Sequence, residues 1–474
     1  MKKKTVIFAD LTHTAQGISA LSFPLGTAYV ASYAHASYND EFEFLLYKFP
    51  NDLTKAIQAH QPVLLALSNY AWNLELGYKI ASWAKTLNPK LITVFGGPNF
   101  PVDPKEQDAF LRARPNVDFY IQNEGEVGFA TLLGQLLAED LDVGRVKNCR
   151  KQINNCCYIA GEELVAGSVE RITDVNQIPS PYLNGLLDSF FDAPLVPMLE
   201  TTRGCPFACT FCADGISSKS RVFRFDQRRV RDELDYIAAR VKNVDELIIT
   251  DLNFGMYKQD RDTVEYIASL QKNLNWPPVV KGSAGKNQPE RIMEAASILK
   301  GSWVIGSSIQ STDAEVLSNI KRGNISSDAY TNFINFVNAQ GETAQSYSEI
   351  ILGLPGDSKE KHFNSLRSGI ENRVSALRMF QAMLLKGTDM ASQHTREKYR
   401  LITKFRVVPG CIGRYSVGAE SLSVAEYEEI IVGSKDMSFD DYVQCRIMNL
   451  LVETYINNGL FEEVFCSLQS MGVA

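Results

Sequence analysis

No stretch of the 474 residues reaches the length of a membrane-spanning helix, which needs roughly 18 to 20 unbroken apolar residues. The start, Met1-Lys2-Lys3-Lys4 running straight into Thr5-Val6-Ile7-Phe8-Ala9, has neither a signal-peptide core nor a cleavage site. A chain without a membrane span, in the cytoplasm, is the expectation. Positive charge is not in excess: 48 Lys and Arg stand against 55 Asp and Glu, a net charge of -7. That argues against bulk attraction to nucleic acid, and no nucleic-acid partner is expected. Internal repeats and low-complexity segments are lacking, which removes a scaffold role. Cysteine is scarce and odd in number, nine in all, too sparse for a disulfide framework; in a reducing compartment a tight cysteine cluster is more often metal-binding or catalytic. What is present is an ordinary globular composition, 45% hydrophobic and 22% charged. The length suits about three domains of roughly 150 residues, or two larger ones with an appendage.

Six cysteines are scattered, Cys149, Cys156, Cys157, Cys411, Cys445 and Cys466, and are expected as small buried hydrophobes. The other three lie in Thr202-Arg203-Gly204-Cys205-Pro206-Phe207-Ala208-Cys209-Thr210-Phe211-Cys212. This Cys-x3-Cys-x2-Cys run belongs on a loop, because its glycine and proline oppose a continuous helix. Three thiolates so close together can face one inorganic cluster, whereas structural zinc needs a fourth ligand, and neither cysteine nor histidine follows within reach. A cube of four irons and four sulfides held this way leaves one iron without a protein ligand, open to chelation by a small molecule. A zinc knuckle or a purely structural cluster is the alternative.

Beyond the loop the chain alternates helical and strand-like segments, the pattern of a parallel sheet with crossover helices. Residues 228–242 read as an amphipathic helix and 246–251 as a buried strand, with further strands at 278–282, 303–310, 346–352 and 377–385. In such barrels the working residues sit where strands end, which selects Asp251, Asn253, Ser308, Gln310 and Glu349. The first 180 residues carry another α/β pattern: strands at 5–10, 42–46, 63–68 and 91–98, with an amphipathic helix at 74–87. This suits a doubly wound, flavodoxin-like unit that binds ligands beyond the carboxyl ends of its strands. Gly96-Gly97 there permits close backbone approach to a ligand or a tight turn. The Ile178-Pro179-Ser180-Pro181-Tyr182 run reads as the start of a linker.

The cysteine spacing resembles the cluster signature of the radical S-adenosylmethionine (radical SAM) enzymes. Further landmarks resemble that family in the right order: Ile305-Gly306-Ser307-Ser308-Ile309-Gln310-Ser311, then Val316-Leu317 and Lys321-Arg322, then Glu349-Ile350-Ile351-Leu352-Gly353-Leu354-Pro355-Gly356. The resemblance implies a [4Fe-4S] cluster on Cys205, Cys209 and Cys212. Its open iron binds S-adenosylmethionine (SAM), and cleavage yields a 5'-deoxyadenosyl radical that abstracts a substrate hydrogen. It also implies that Phe211 lies beside the adenine and that Asp251, Asn253, Ser308, Gln310, Arg322 and Glu349 position SAM. A glycine-rich motif common after the second strand is replaced by Asp251-Leu252-Asn253-Phe254-Gly255-Met256.

The first half resembles the cobalamin-binding domain that precedes the barrel in one subgroup, through Pro24-Leu25-Gly26, Ser68-Asn69-Tyr70-Ala71-Trp72-Asn73, Gly96-Gly97-Pro98 and Asn123-Glu124-Gly125-Glu126. This implies cobalamin as a cofactor, with Ser68, Gly96 and Gly97 among its contacts. One departure stands out: Asp10-Leu11-Thr12-His13-Thr14-Ala15-Gln16-Gly17 lacks the spacing of Asp-x-His-x-x-Gly, so His13 is expected to be solvated or hydrogen-bonded locally, with an approach to cobalt as the alternative.

The expected fold is α/β: residues 1–180 a flavodoxin/Rossmann-like cobalamin-binding-type domain, 181–195 a linker, 196–400 a radical SAM partial (β/α) barrel, and 401–474 a small, mainly helical cap. Within the cap, 423–432 and 439–451 look amphipathic, another apolar helix follows near 460–468, and no second cysteine cluster occurs. The expected activity is methyl transfer from cobalamin to an unactivated carbon; rearrangement or oxidation without cobalamin and a non-catalytic regulatory module are alternatives. A small-molecule substrate and an external electron donor such as flavodoxin or ferredoxin complete the expected partners. The basic run Lys219, Arg221, Arg224, Arg228, Arg229 and Arg231 reads as a solvated face or, alternatively, as a contact for an anionic or phosphorylated substrate.

Overall fold

The computed structural model describes residues 3–339, 346–418 and 420–472; the side chains of Ser307, Cys466 and Gln469 lie outside the described set. In the first unit, strands β1 (Lys4–Ala9), β2 (Phe42–Tyr47), β3 (Leu64–Ser68), β4 (Ile92–Gly96) and β5 (Phe119–Ile121) run parallel in the order β2-β1-β3-β4-β5. An antiparallel pair, β6 (Cys156–Ala160) and β7 (Glu163–Ala166), extends the β5 edge. Because helices cover both faces, the strands are apolar on both sides. Val6 and Phe8 join Ala28 and Phe129 of α1 (Leu25–Tyr38) and the later α5 (Gly125–Ala138) in one core. Ile7 and Ala9 join Leu53 and Ile80 of α2 (Pro50–His60) and α3 (Leu74–Leu87) in another. Between α3 and α5 lies α4 (Pro104–Arg112), capped by Asp103, whose carboxylate accepts from the Lys105 and Glu106 amides. Strand order reverses between β1 and β3, so the crevice at their carboxyl ends is where a ligand belongs.

The stretch expected as a linker is packed. Tyr182, Leu187 and Leu195 are buried in the core that also holds Phe23, and the Phe23 ring lies 5.0 Å from Phe191. Its apolar side chains fill the space between the two units, and the Tyr182 hydroxyl donates to the Met198 carbonyl at 2.7 Å.

The second unit has six parallel strands, β8 (Met198–Leu199), β11 (Glu246–Phe254), β12 (Val279–Ala284), β13 (Trp303–Gln310), β14 (Ser346–Leu352) and β15 (Ala376–Gln381), paired in chain order. A short antiparallel pair, β9 (Thr202–Arg203) and β10 (Phe223–Arg224), flanks the cysteine loop. Helices such as α7 (Gln227–Ala238), which buries Val230, Leu234 and Ile237, connect the strands. The result is a partial (β/α) barrel.

The region after residue 400 corrects one expectation. Residues 423–432 are not helical: β16 (Ile402–Val417) and β17 (Glu420–Gly433) form a long antiparallel hairpin. The β-branched residues of β17 have a matching partner strand immediately upstream, and cross-strand pairing prevails over the helical period. Helices α14 (Phe439–Val452) and α15 (Glu462–Ser470) follow. The hairpin fastens the two units together. On one side the buried Glu426 carboxylate accepts from the Glu75 and Leu76 amides at the start of α3, at 2.9 and 2.8 Å, where the helix dipole favours negative charge. On the other side Leu384 N donates to Glu429 O and Ile431 N to Ala382 O, while Arg396 forms a double ion pair with Glu429 at 2.7 Å.

Cys156, Cys157, Cys411 and Cys445 are buried, but Cys149 is exposed. It follows α6 (Val143–Asn148) at its C-cap, on a turn with no apolar cover to bury it, against expectation.

Candidate active site at the cysteine loop

The loop begins at Gly204, with φ of +111°. A Cβ there would lie 2.3 Å from the Arg221 carbonyl, so only glycine fits. The loop is tied down on every side: Cys205 N donates to Lys219 O and Cys212 N to Cys209 O, while Thr210 bonds Ile320 O through its amide and Met390 N through its carbonyl. Cys205 and Cys209 are buried and Cys212 half-buried; burial pushes the Cys212 thiol up. Four N–H donors reach the sulfurs: Asn253 Nδ2 to Cys205 at 3.5 Å, Lys286 Nζ and Arg322 Nη1 to Cys209 at 3.6 and 4.0 Å, and the Asp214 amide to Cys212 at 3.5 Å. Among the described residues no three Cys, His, Asp or Glu side chains converge tightly enough to share a single ion. Three thiols with donors ready for their charged sulfurs suit a cluster that takes one iron per thiolate.

On the barrel side a cavity of about 200 Å³ is walled by Phe211, Cys205, Cys212, Ser308, Gln310 and Arg322. Gln310 takes φ of +62° at the end of β13, and its Oε1 is buried without a partner. An uncommon backbone and an unpaired acceptor together mark a group waiting for a ligand. Burial lowers the Arg322 guanidinium from its ordinary value; it donates to the Ser308 carbonyl and to Asn324. Glu349 stands behind the wall, accepting from the Ser308 hydroxyl at 2.5 Å.

Asp251, expected to position SAM, is bonded to the chain that enters the cysteine loop. Both its oxygens are filled by the amides and hydroxyls of Thr201 and Thr202, at 2.5 to 3.1 Å, and burial raises its pKa to about 6. It braces the chain entering the cysteine loop and has no lone pair facing the cavity. Asn253, two residues on along β11, holds Cys205 and leaves its Oδ1 buried and unpartnered.

On the other side of the loop a cavity of about 380 Å³ lies at the carboxyl ends of β1, β3, β4 and β5, with Ser68, Gly96 and Gly97 in its wall. Gly97 has φ of +127° and a Cβ there would meet Asn69 O at 2.6 Å. Ser68 donates to Asp10 at 2.6 Å and accepts from Asn73. Asn123, also in the wall, leaves both amide atoms buried without partners. Arg203, Asp214 and Lys219 close the cavity from the barrel side. Arg203, buried and two residues before Cys205, pairs with Glu126 of the first unit at 2.7 Å and with Glu200 at 2.9 Å. His13 is not in this wall; it is fully buried, with Nδ1 on the Tyr415 hydroxyl at 2.8 Å and Nε2 3.4 Å from Glu426.

The basic run is mostly spoken for: Lys219 pairs with Asp214, Arg224 with Asp260 and Arg229 with Glu233, while the Arg228 side chain is 91% exposed. Sequence reasoning did not single out Lys286, Asn123 as an unpaired amide, or Arg203. Lys286 and Arg203 act through partners far away in sequence, and Asn123, although inside a quoted landmark, carries no sign in the sequence that its amide is left unpaired.

These two units are domains of known type. Residues 18–133 match the B12 binding domain and residues 199–367 the radical SAM superfamily. The chain thus carries a B12-binding domain followed by a radical SAM domain, and the cofactors of those domains are cobalamin, a [4Fe-4S] cluster and SAM. It is 28% identical over 470 residues to 2-(S-pantetheinyl)-carbapenam-3-carboxylate methyltransferase of Streptantibioticus cattleyicolor, covering 94% of this chain and 65% of that protein. With the cobalamin-dependent radical SAM methyltransferase TokK of Streptomyces tokunonensis it shares 30% identity over 419 residues, covering 85% and 58%. The chain therefore spans about two thirds or less of the length of these relatives. The solved structure of the radical SAM methyltransferase TsrM from Kitasatospora setae, with cobalamin and cluster bound, shares the fold at a TM-score of 0.63 and 13% identity, covering 87% of this chain and 77% of that one. No helix among the described residues is long and apolar enough to cross a membrane.

Proposed function

We propose that this chain is a cobalamin-dependent radical SAM methyltransferase acting on an unactivated carbon of a small molecule. One observation supports the reading most strongly: a single cysteine loop walls both cavities, with Cys205, Phe211 and Cys212 facing one and Ala213, Asp214 and Lys219 facing the other. Electron delivery and group transfer are thereby directed at one point between the domains. When bound, the reduced cluster supplies the electron that cleaves SAM and cobalamin supplies the methyl group.

The chain's own residues orient and insulate. Cys205, Cys209 and Cys212 would hold three irons. Gln310 Oε1 would accept a hydrogen bond from SAM, Arg322 would hold its carboxylate by a charge-assisted hydrogen bond, and Phe211 would pack on its adenine. Ser308 and Glu349 form a hydrogen-bonded brace behind Gln310. In the first domain Ser68, Gly96 and Gly97 would line the corrinoid site and Asn123 would offer it an amide, while His13 is committed to Tyr415 and Glu426. Flavodoxin or ferredoxin supplies electrons from outside.

The test is anaerobic reconstitution with iron, sulfide and hydroxocobalamin, followed by reduction with methyl-labelled SAM. The reading expects 5'-deoxyadenosine and label passing onto the retained corrinoid. Formation of 5'-deoxyadenosine without any corrinoid retention would replace methyl transfer by rearrangement or oxidation; absence of 5'-deoxyadenosine and of any SAM-bound cluster signal would leave only a regulatory module.

A further inference from the structure

A third cavity, about 1360 Å³, has part of the cysteine loop, Pro206 to Ala208, in its wall and runs between the first domain and the segment following β15. Four cations line it: Lys321 and Arg396 are held by Asp389 and Glu429, and the other two, Arg114 and Lys386, come from opposite domains. Both lie against the same ring: the Arg114 Cζ is 4.3 Å and the Lys386 Nζ 4.9 Å from the Phe110 centroid. Their surroundings are unequal. Arg114 pairs with Glu75 through Nη2 at 3.0 Å, but its Nε is buried without a partner. Among the described residues Lys386 has no carboxylate within ion-pair distance and no hydrogen bond.

The other charges of this cavity are largely occupied. Glu429 is held by Arg396, Glu428 by Arg406, Asp389 by Lys321, and Glu426 by helix amides. Asp103 caps α4. Glu75 and Glu106 act on Lys386 from beyond contact, and they are outweighed: burial, then Arg114, lower its pKa to about 8. Two cations brought to one ring, one unpaired and the other with an unused donor beside its Glu75 pair, repel each other less once a further anion joins them.

We propose that Lys386 and Arg114 form a site for the anionic end of the substrate, a carboxylate or phosphoryl group bound at Lys386 Nζ beside Arg114 on the flank of the cysteine loop. Calling the ligand the substrate rests on the enzymatic reading above; the anion site does not. It also moves the anionic contact away from the basic run after the loop, whose side chains are paired or solvated.

The experiment is trace acetylation of the full chain at pH 7, read lysine by lysine by mass spectrometry, in chloride, acetate and inorganic phosphate at equal ionic strength. A bound anion that raises the Lys386 pKa by one unit cuts its free-amine fraction, and so its labelling, about tenfold. Labelling of exposed lysines should stay level, and Arg114→Gln should weaken the protection. Stronger protection by acetate identifies a carboxylate site and by phosphate a phosphoryl site. Equal labelling of Lys386 in all three salts overturns the proposal, whether or not the variant folds. Protection without 5'-deoxyadenosine formation would leave the anion site standing and remove the enzymatic reading.

Discussion

The two cavities that meet at the cysteine loop are built from different materials. The barrel side is made of side chains with atoms to offer: thiols, the Gln310 amide, the Arg322 guanidinium. The first-domain side has apolar side chains such as Phe8, Val30, Ile121 and Phe129 and the glycines Gly26, Gly96, Gly97 and Gly125 in its wall, and added Cβ atoms at Gly97 and Gly125 would lie 2.6 Å from Asn69 O and 2.9 Å from Val30. One site recognises a small polar ligand by directed bonds. The other makes room for a large flat one. Taking atoms away should therefore damage the barrel side, and adding atoms should damage the other.

The largest effect is expected for Cys209→Ala, which should abolish SAM cleavage and lower bound iron while corrinoid retention persists; unchanged 5'-deoxyadenosine output would break the comparison at its root. Next comes Asp251, which separates a brace from a contact. Its carboxyl sits at about 6 in the folded chain against an ordinary 3.8. Between those values the folded state keeps a proton that the unfolded state has lost. Stability therefore falls as pH rises from about 4 to 6 and is level above, by about 3 kcal/mol in all. Asp251→Asn should remove this pH dependence, seen in denaturant unfolding at several pH values, and leave SAM affinity unchanged. A large loss of SAM affinity would restore Asp251 to the ligand shell.

Gly97→Val should cost about 1–3 kcal/mol of stability through its backbone strain and steric conflict and lose corrinoid retention, while 5'-deoxyadenosine still forms. Equal corrinoid absorbance in variant and parent would show that the glycine edge is a turn and nothing more. The smallest effect is expected for Gln310→Ala: about a tenfold weaker SAM affinity by equilibrium binding, the scale of one hydrogen bond, with corrinoid retention untouched.

Much of this was legible in the chain. The loop cysteines and the alternation of β1 through β5 follow from local pattern, because parallel strands between helices must be apolar and a cluster loop needs its ligands close in sequence. The β16–β17 hairpin was not, since the stretch before Gly433 satisfies a helical period as well as an alternating one, and only pairing with residues 402–417 decides. Nor was the contrast between Asp251 and Gln310. Gln310 ends β13 and Asp251 lies three residues before the end of β11, but Thr201 and Thr202 satisfy Asp251 and nothing satisfies Oε1 of Gln310. His13 shows the same limit: its partners, Tyr415 and Glu426, lie some four hundred residues away.

The central claim is that cluster and cobalamin occupy cavities on opposite faces of one loop. Electron paramagnetic resonance of the chain loaded with both, and poised so that cob(II)alamin and the reduced cluster are each paramagnetic, tests it directly. The account expects both signals to be broadened or split by mutual coupling, and Cys209→Ala to return the cobalt signal to its isolated form. A spectrum that is the plain sum of an unperturbed corrinoid and an unperturbed cluster would contradict it.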